Sequence, residues 1–243
     1  MIQVNENSKT KIVMVTGAEN PSGLGIVQYF LRQDATVIVP AARLYEITRL
    51  KSCTSNINKG KLITQLIQMP DYDRGFDIAE AIVERFGKID VGIALFNGVA
   101  SHKPLTELHI CDWQNMIDHE ITPFFLSARL VLNSMKSNNE GVYISICDTG
   151  FTGMENISPL YSLAANAKME MSKLFAEEAQ KYNVSYYHLS LKSANIIIEY
   201  ERIHNDEHII KHEMLAKQIM QLCRGKLERH DEVFQSFTKH ALY

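Results

Sequence analysis

Glycine is scarce in this chain, at 12 of 243 residues, against an average of about 7%. Cysteine is scarcer still. Cys53, Cys111, Cys147 and Cys223 lie far apart with no C-x-x-C pair. That spacing excludes a disulfide framework or a zinc knuckle and favours a reducing, cytoplasmic setting. No run of about 18 apolar residues occurs, so no membrane span is expected. Positive charge is not in excess either: 25 Lys and Arg face 28 Asp and Glu, a net charge of -3. A generally basic nucleic-acid binder is thereby excluded. Residues Met1 to Thr10 are polar and lack the apolar stretch of a signal peptide. No linker-like stretch, low-complexity segment or internal repeat divides the chain, so residues 1–243 are expected to form one domain.

What is present is an alternation of short apolar runs with amphipathic stretches. Lys11–Val15, Thr36–Val39, Leu62–Ile67, Val91–Phe96, Val142–Cys147 and Val184–Leu191 read as strands, with a last short one at Val233–Thr238. Gly25–Arg32, Asp77–Phe86, Trp113–Met135, Pro159–Lys181 and Ile209–Cys223 read as helices, the third kinked at Pro123. Apolar strands separated by helices predict an α/β fold: a Rossmann-like, doubly wound parallel sheet with helices on both faces. Ligands of such sheets bind beyond the carboxyl ends of the strands.

The first strand runs into Thr16-Gly17-Ala18-Glu19-Asn20-Pro21-Ser22-Gly23-Leu24-Gly25 and then a helix. A strand, a glycine-bearing turn and a helix N-terminus in this order suit a pyrophosphate, because glycine lets backbone approach it and free N–H groups face it. Ordinary turns use glycines too.

The loop resembles that of the short-chain dehydrogenase/reductase family, T-G-x-x-x-G-x-G, with five residues between Gly17 and Gly23 where the family has three. Ser22-Gly23-Leu24-Gly25 keeps the family form. Val39-Pro40-Ala41-Ala42-Arg43 follows the second strand as in the family. Ala42 stands where an acid would select NAD, and Arg43 next to it favours the 2′-phosphate of NADP. Phe96-Asn97-Gly98 is similar to the family's N-N-A-G, and Phe86-Gly87-Lys88-Ile89-Asp90 to its lead-in. The resemblance implies cofactor contacts from Gly17, Ser22, Gly23, Leu24, Gly25, Arg43 and Asn97.

It also implies a catalytic tyrosine, Tyr161, in Tyr161-Ser162-Leu163-Ala164-Ala165-Asn166-Ala167. The family places a lysine four residues on, where its charge favours the phenolate; here that residue is Ala165. Lys168 lies seven residues from Tyr161, about 10.5 Å along a helix axis, too far to take the usual place. Asp148 falls at the serine position and Glu120 at the asparagine position, and Leu191-Lys192 replaces a Pro-Gly. Asp148 and Glu120 could serve as an altered acid/base pair with Tyr161 if burial raises one pKa.

Two readings therefore stand. One is an NAD(P)-dependent short-chain oxidoreductase of a carbonyl or alcohol, lacking the usual Ser and Lys and weak or altered in catalysis. The other is a catalytically silent member of the same fold that binds a nucleotide or a partner protein, with or without a cofactor. A small-molecule substrate, no nucleic acid, no membrane, and a homo-dimer or homo-tetramer are the expected partners, the last by resemblance only. His204, His208 and His212 share a helical spacing, but their charged surroundings point to a solvated face and no metal site is expected.

Overall fold

The β-branched run after Lys11 becomes a central strand of a parallel sheet. The computed structural model describes residues 10–67, 84–96, 103–148, 158–191, 215–217 and 219–223. Its strands are β1 (Ile12–Thr16), β2 (Thr36–Ala41), β3 (Lys61–Leu66), β4 (Val91–Phe96), β5 (Gly141–Asp148) and β6 (Val184–Leu191). They pair in the order β3-β2-β1-β4-β5-β6, every neighbouring pair parallel. The order reverses direction between β1 and β4, which opens a crevice beyond their carboxyl ends.

Alternation along the strands divides the core into two layers. Val13, Val15, Val37, Val39, Ile93 and Leu95 pack on one face with Ile26, Val27 and Phe30 of α1 (Pro21–Arg32), and with Leu50 of α2 (Leu44–Thr54). Leu215 and Ile219, from a helical stretch near the C-terminus, cover the same face. Met14, Ala94, Phe96 and Tyr143 face the other way, against Phe124, Ala128 and Leu132 of α4 (Thr122–Asn138) and Ala176 and Ala179 of α5 (Pro159–Gln180). The doubly wound α/β sheet predicted from the strand pattern is thus observed. Among the described residues no helix is long and apolar enough to cross a membrane.

Several boundaries differ from the sequence reading. The first helix begins at Pro21 and not at Gly25, because Asn20 caps it and Pro21 has the fixed φ suited to a first helical turn. The third predicted helix starts earlier, as α3 (Ile110–Met116), and a π turn (Ile117–Ile121) separates it from α4. Pro123, placed mid-helix by sequence, sits in the first turn of α4, where a missing N–H costs least. Helix α2 was not anticipated. Of the predicted helix 77–86 only its last three residues are described, and the strand 233–238 and His204, His208 and His212 lie outside the described residues.

Candidate nucleotide site and catalytic pocket

At the end of β1 the chain turns through Gly17, whose φ of +79° is left-handed. A Cβ there would lie 1.7 Å from the carbonyl oxygen of Leu95, so only glycine fits beside β4. Asn20 then closes the turn. Its Nδ2 donates to Gly17 O at 2.9 Å, and its Oδ1 accepts from Gly23 N at 2.7 Å. The helix begins inside this loop, at Pro21. Ser22, Gly23, Leu24 and Gly25 therefore belong to the first turns of α1, with Gly23 packed so close that a Cβ would meet Ala18 Cα at 2.6 Å.

The turn after β2 lies alongside. Arg43 caps α2 from an exposed position, and its Nη1 donates to the Tyr45 hydroxyl at 3.1 Å. Glu46 turns inward and is only 7% exposed. Its Oε2 accepts from Ala42 N at 3.0 Å and Arg43 N at 3.2 Å. Arg49 reaches across to Glu19 O at 3.1 Å. Between these groups is a cavity of about 90 Å³ lined by Ala18, Glu19, Leu24, Tyr45, Glu46, Arg49 and Leu50. Glu19 keeps an exposed edge, yet the protein packed around its carboxyl, and then the charge of Glu46, raise its pKa above the ordinary carboxylate range. Asn97, expected to border the same crevice, lies outside the described residues.

The residues expected to do chemistry come from three elements. Tyr161 is half-buried in the first turn of α5, its backbone N–H donating to the Ser158 cap at 3.3 Å. Asp148 is the last residue of β5, in register with Leu191 of β6. Glu120 sits in the π turn, 1% exposed. The structure brings Glu120 to Lys168, whose Nζ lies 3.0 Å from its Oε2 and donates to Phe96 O at 3.3 Å. Lys168 is 2% exposed. Ala165, at the lysine position, is half-buried and carries no charge.

Sequence reasoning missed this pair. The available signal was the stripe Leu160, Ala164, Lys168, Ser172, Ala176, Ala179 at helical spacing: a lysine on an otherwise inward face of α5. A second buried polar group was missed beside it. His188 Nδ1 lies 2.8 Å from Ser145 Oγ and 3.0 Å from Ser172 Oγ, and the Tyr186 hydroxyl donates to both serines. Burial first, and the charge of Lys168 second, lower the His188 pKa to about 4, so the imidazole is neutral.

Comparison with known proteins converges on one family. The family model described as short chain dehydrogenase matches residues 11–191. An uncharacterised oxidoreductase of Listeria monocytogenes is 26% identical over 137 residues, 56% of this chain and 54% of that protein. Glucose 1-dehydrogenase 2 of Bacillus subtilis is 28% identical over 136 residues, 53% of this chain and 50% of that one. The chain thus spans about half the length of these two curated relatives. Among solved structures, a metagenomic short-chain oxidoreductase in complex with NADP superposes with a TM-score of 0.70 at 17% identity, covering 88% of this chain and 90% of that one.

Proposed function

Because this chain belongs to the short-chain dehydrogenase family, we propose that it is an NAD(P)-dependent oxidoreductase of a carbonyl or alcohol with weak or altered catalysis. The observation that carries this reading is the strand–turn–helix at the β1/β4 switch point, where Gly17 packs against β4 and the N-terminus of α1 follows at Pro21. Gly17, Ser22, Gly23, Leu24 and Gly25 would hold the pyrophosphate side, and Arg43, exposed beyond β2, would attract the 2′-phosphate of NADP in preference to NAD. Asn97 would border the adenosine.

A nicotinamide held there would supply or accept a hydride. The chain's own part is to move a proton. Tyr161 carries the hydroxyl for it, and a phenol needs a cation beside it to be an effective acid or base at neutral pH. Ala165 offers no cation at the family's lysine position, and the charge of Lys168 is balanced by Glu120. Weak turnover is the consequence. Asp148 and Glu120 complete the proposed acid/base group.

The experiment is a titration of the intact protein with NADPH and NADH, followed by Trp113 fluorescence and by melting temperature. NADPH is expected to bind more tightly than NADH; binding of neither overturns the reading. NADPH oxidation is then measured over a panel of aldehydes, ketones and quinones. Tyr161→Phe should abolish it, and unchanged turnover removes Tyr161 from the mechanism.

The same charge arrangement favours a second reading, a catalytically silent member that binds nucleotide or a partner protein. NADPH binding without oxidation over the whole panel would select it. Either form is proposed to be a cytoplasmic homo-dimer or homo-tetramer. The exposed Phe125 of α4 and Leu174 of α5 support association, and sedimentation equilibrium tests it.

A further inference from the structure

The backbone N–H groups of Ala42 and Arg43 lie side by side where the chain leaves β2, and both are already taken by Glu46 Oε2, at 3.0 and 3.2 Å. A phosphate attracted by Arg43 would need donors at this same turn, since an anion in such a place is held by adjacent amides as well as by the guanidinium. We infer that Glu46 is a specificity-determining residue that opposes the 2′-phosphate which Arg43 attracts, so that the preference for a phosphorylated ribose is set by the balance of the two. This inference rests on the dinucleotide reading above and deepens it.

Three observations carry it. Glu46 is 7% exposed and held by two hydrogen bonds, so its carboxylate cannot leave without exposing two orphaned N–H groups. It lines the cavity, so an incoming dianion meets a like charge at close range. That charge is felt across the cavity, where it helps to raise the Glu19 pKa. Arg43, by contrast, is an exposed side chain whose guanidinium lies 5.9 Å from the Tyr45 ring centroid and donates to that residue's hydroxyl, a surface contact it can exchange for a ligand.

The test uses two probes on the full-length protein by calorimetry: adenosine 2′,5′-bisphosphate and 5′-AMP, which differ by the 2′-phosphate alone. Glu46→Gln keeps an oxygen acceptor for the two N–H groups and removes the charge. The affinity for the bisphosphate is expected to rise about tenfold while that for 5′-AMP holds, which shifts the ratio of the two toward the bisphosphate. Arg43→Gln should shift it the opposite way. A ratio unchanged in Glu46→Gln, with both probes binding, overturns the role of Glu46 alone. So does a selective loss of 5′-AMP affinity, which would make Glu46 an acceptor for ribose hydroxyls. Binding of neither probe to the native protein or to Glu46→Gln overturns the dinucleotide reading together with this one. Melting curves confirm that each variant is folded.

Discussion

Lys168 and Glu120 form an ion pair 3.0 Å long in which the two side chains are 2% and 1% exposed. The pair ties α5 to the π turn, and the bond to Phe96 O adds the carboxyl end of β4. Removing one partner strands a charge in the core. Lys168→Met and Glu120→Leu are each expected to cost about 3–5 kcal/mol, whereas the double change Lys168→Met/Glu120→Leu should recover most of that loss. Urea unfolding of the four proteins gives the cycle, and additive losses would show that the pair does not act as a unit.

His188 makes stability depend on pH. Its folded pKa, about 4, lies below the ordinary 6.5, so the unfolded chain binds more protons between these two values. The neutral ring supports folding in full above pH 6.5, and that support falls away as pH drops toward 4. The loss over this window is roughly 3 kcal/mol. His188→Asn, which cannot titrate, should lose less stability than the native protein between pH 7 and pH 4.5. Equal slopes in urea midpoints would remove His188 as the cause.

Asn20 holds the start of α1 through two hydrogen bonds. Asn20→Ala is expected to cost about 1–2 kcal/mol. Asn20→Asp keeps the acceptor for Gly23 N but not the donor to Gly17 O, and should melt between the two. Calorimetric melting temperatures order the series.

Gly17 admits no side chain. A left-handed φ alone costs alanine about 1–2 kcal/mol, and the added Cβ would overlap Leu95 O at 1.7 Å. Gly17→Ala should therefore yield no folded protein. Gly23→Ala meets Ala18 and Gly17 backbone at 2.6 Å but needs no unusual φ, so it should fold with a lowered melting temperature. Circular dichroism and gel filtration separate the two outcomes.

The sheet was legible because its strands are apolar runs with β-branched residues, as in Ile12-Val13-Met14-Val15 and Val91–Phe96. Helix α2 was not, since the residues it buries include Glu46 and Thr54, and only Leu50 among them is apolar. An amphipathic signal cannot arise from a face that is mostly polar. The start of α1 was written in Asn20-Pro21, a cap followed by proline, but the glycines behind it read as loop. Among the candidate catalytic positions the replacements at 120, 148 and 165 were visible as residue types. The Lys168–Glu120 contact was not, because it depends on where two elements far apart in the chain are packed.

The π turn at Ile117–Ile121 governs how this part of the core can vary. Successive steps of four residues overshoot a full α-helical turn by about 40° each. Met116, Glu120 and Phe124 nevertheless all point inward, because the wider turn absorbs the overshoot. Deleting one residue there would restore a continuous α-helix in which Met116 and Phe124, then seven residues apart, still face the core, because seven steps fall only about 20° short of two turns. The turn thus carries one residue more than a regular helix needs between the same two core contacts. Chain length is therefore freer at this point than in the middle of α4, where the loss of one codon would turn every upstream side chain by about 100°.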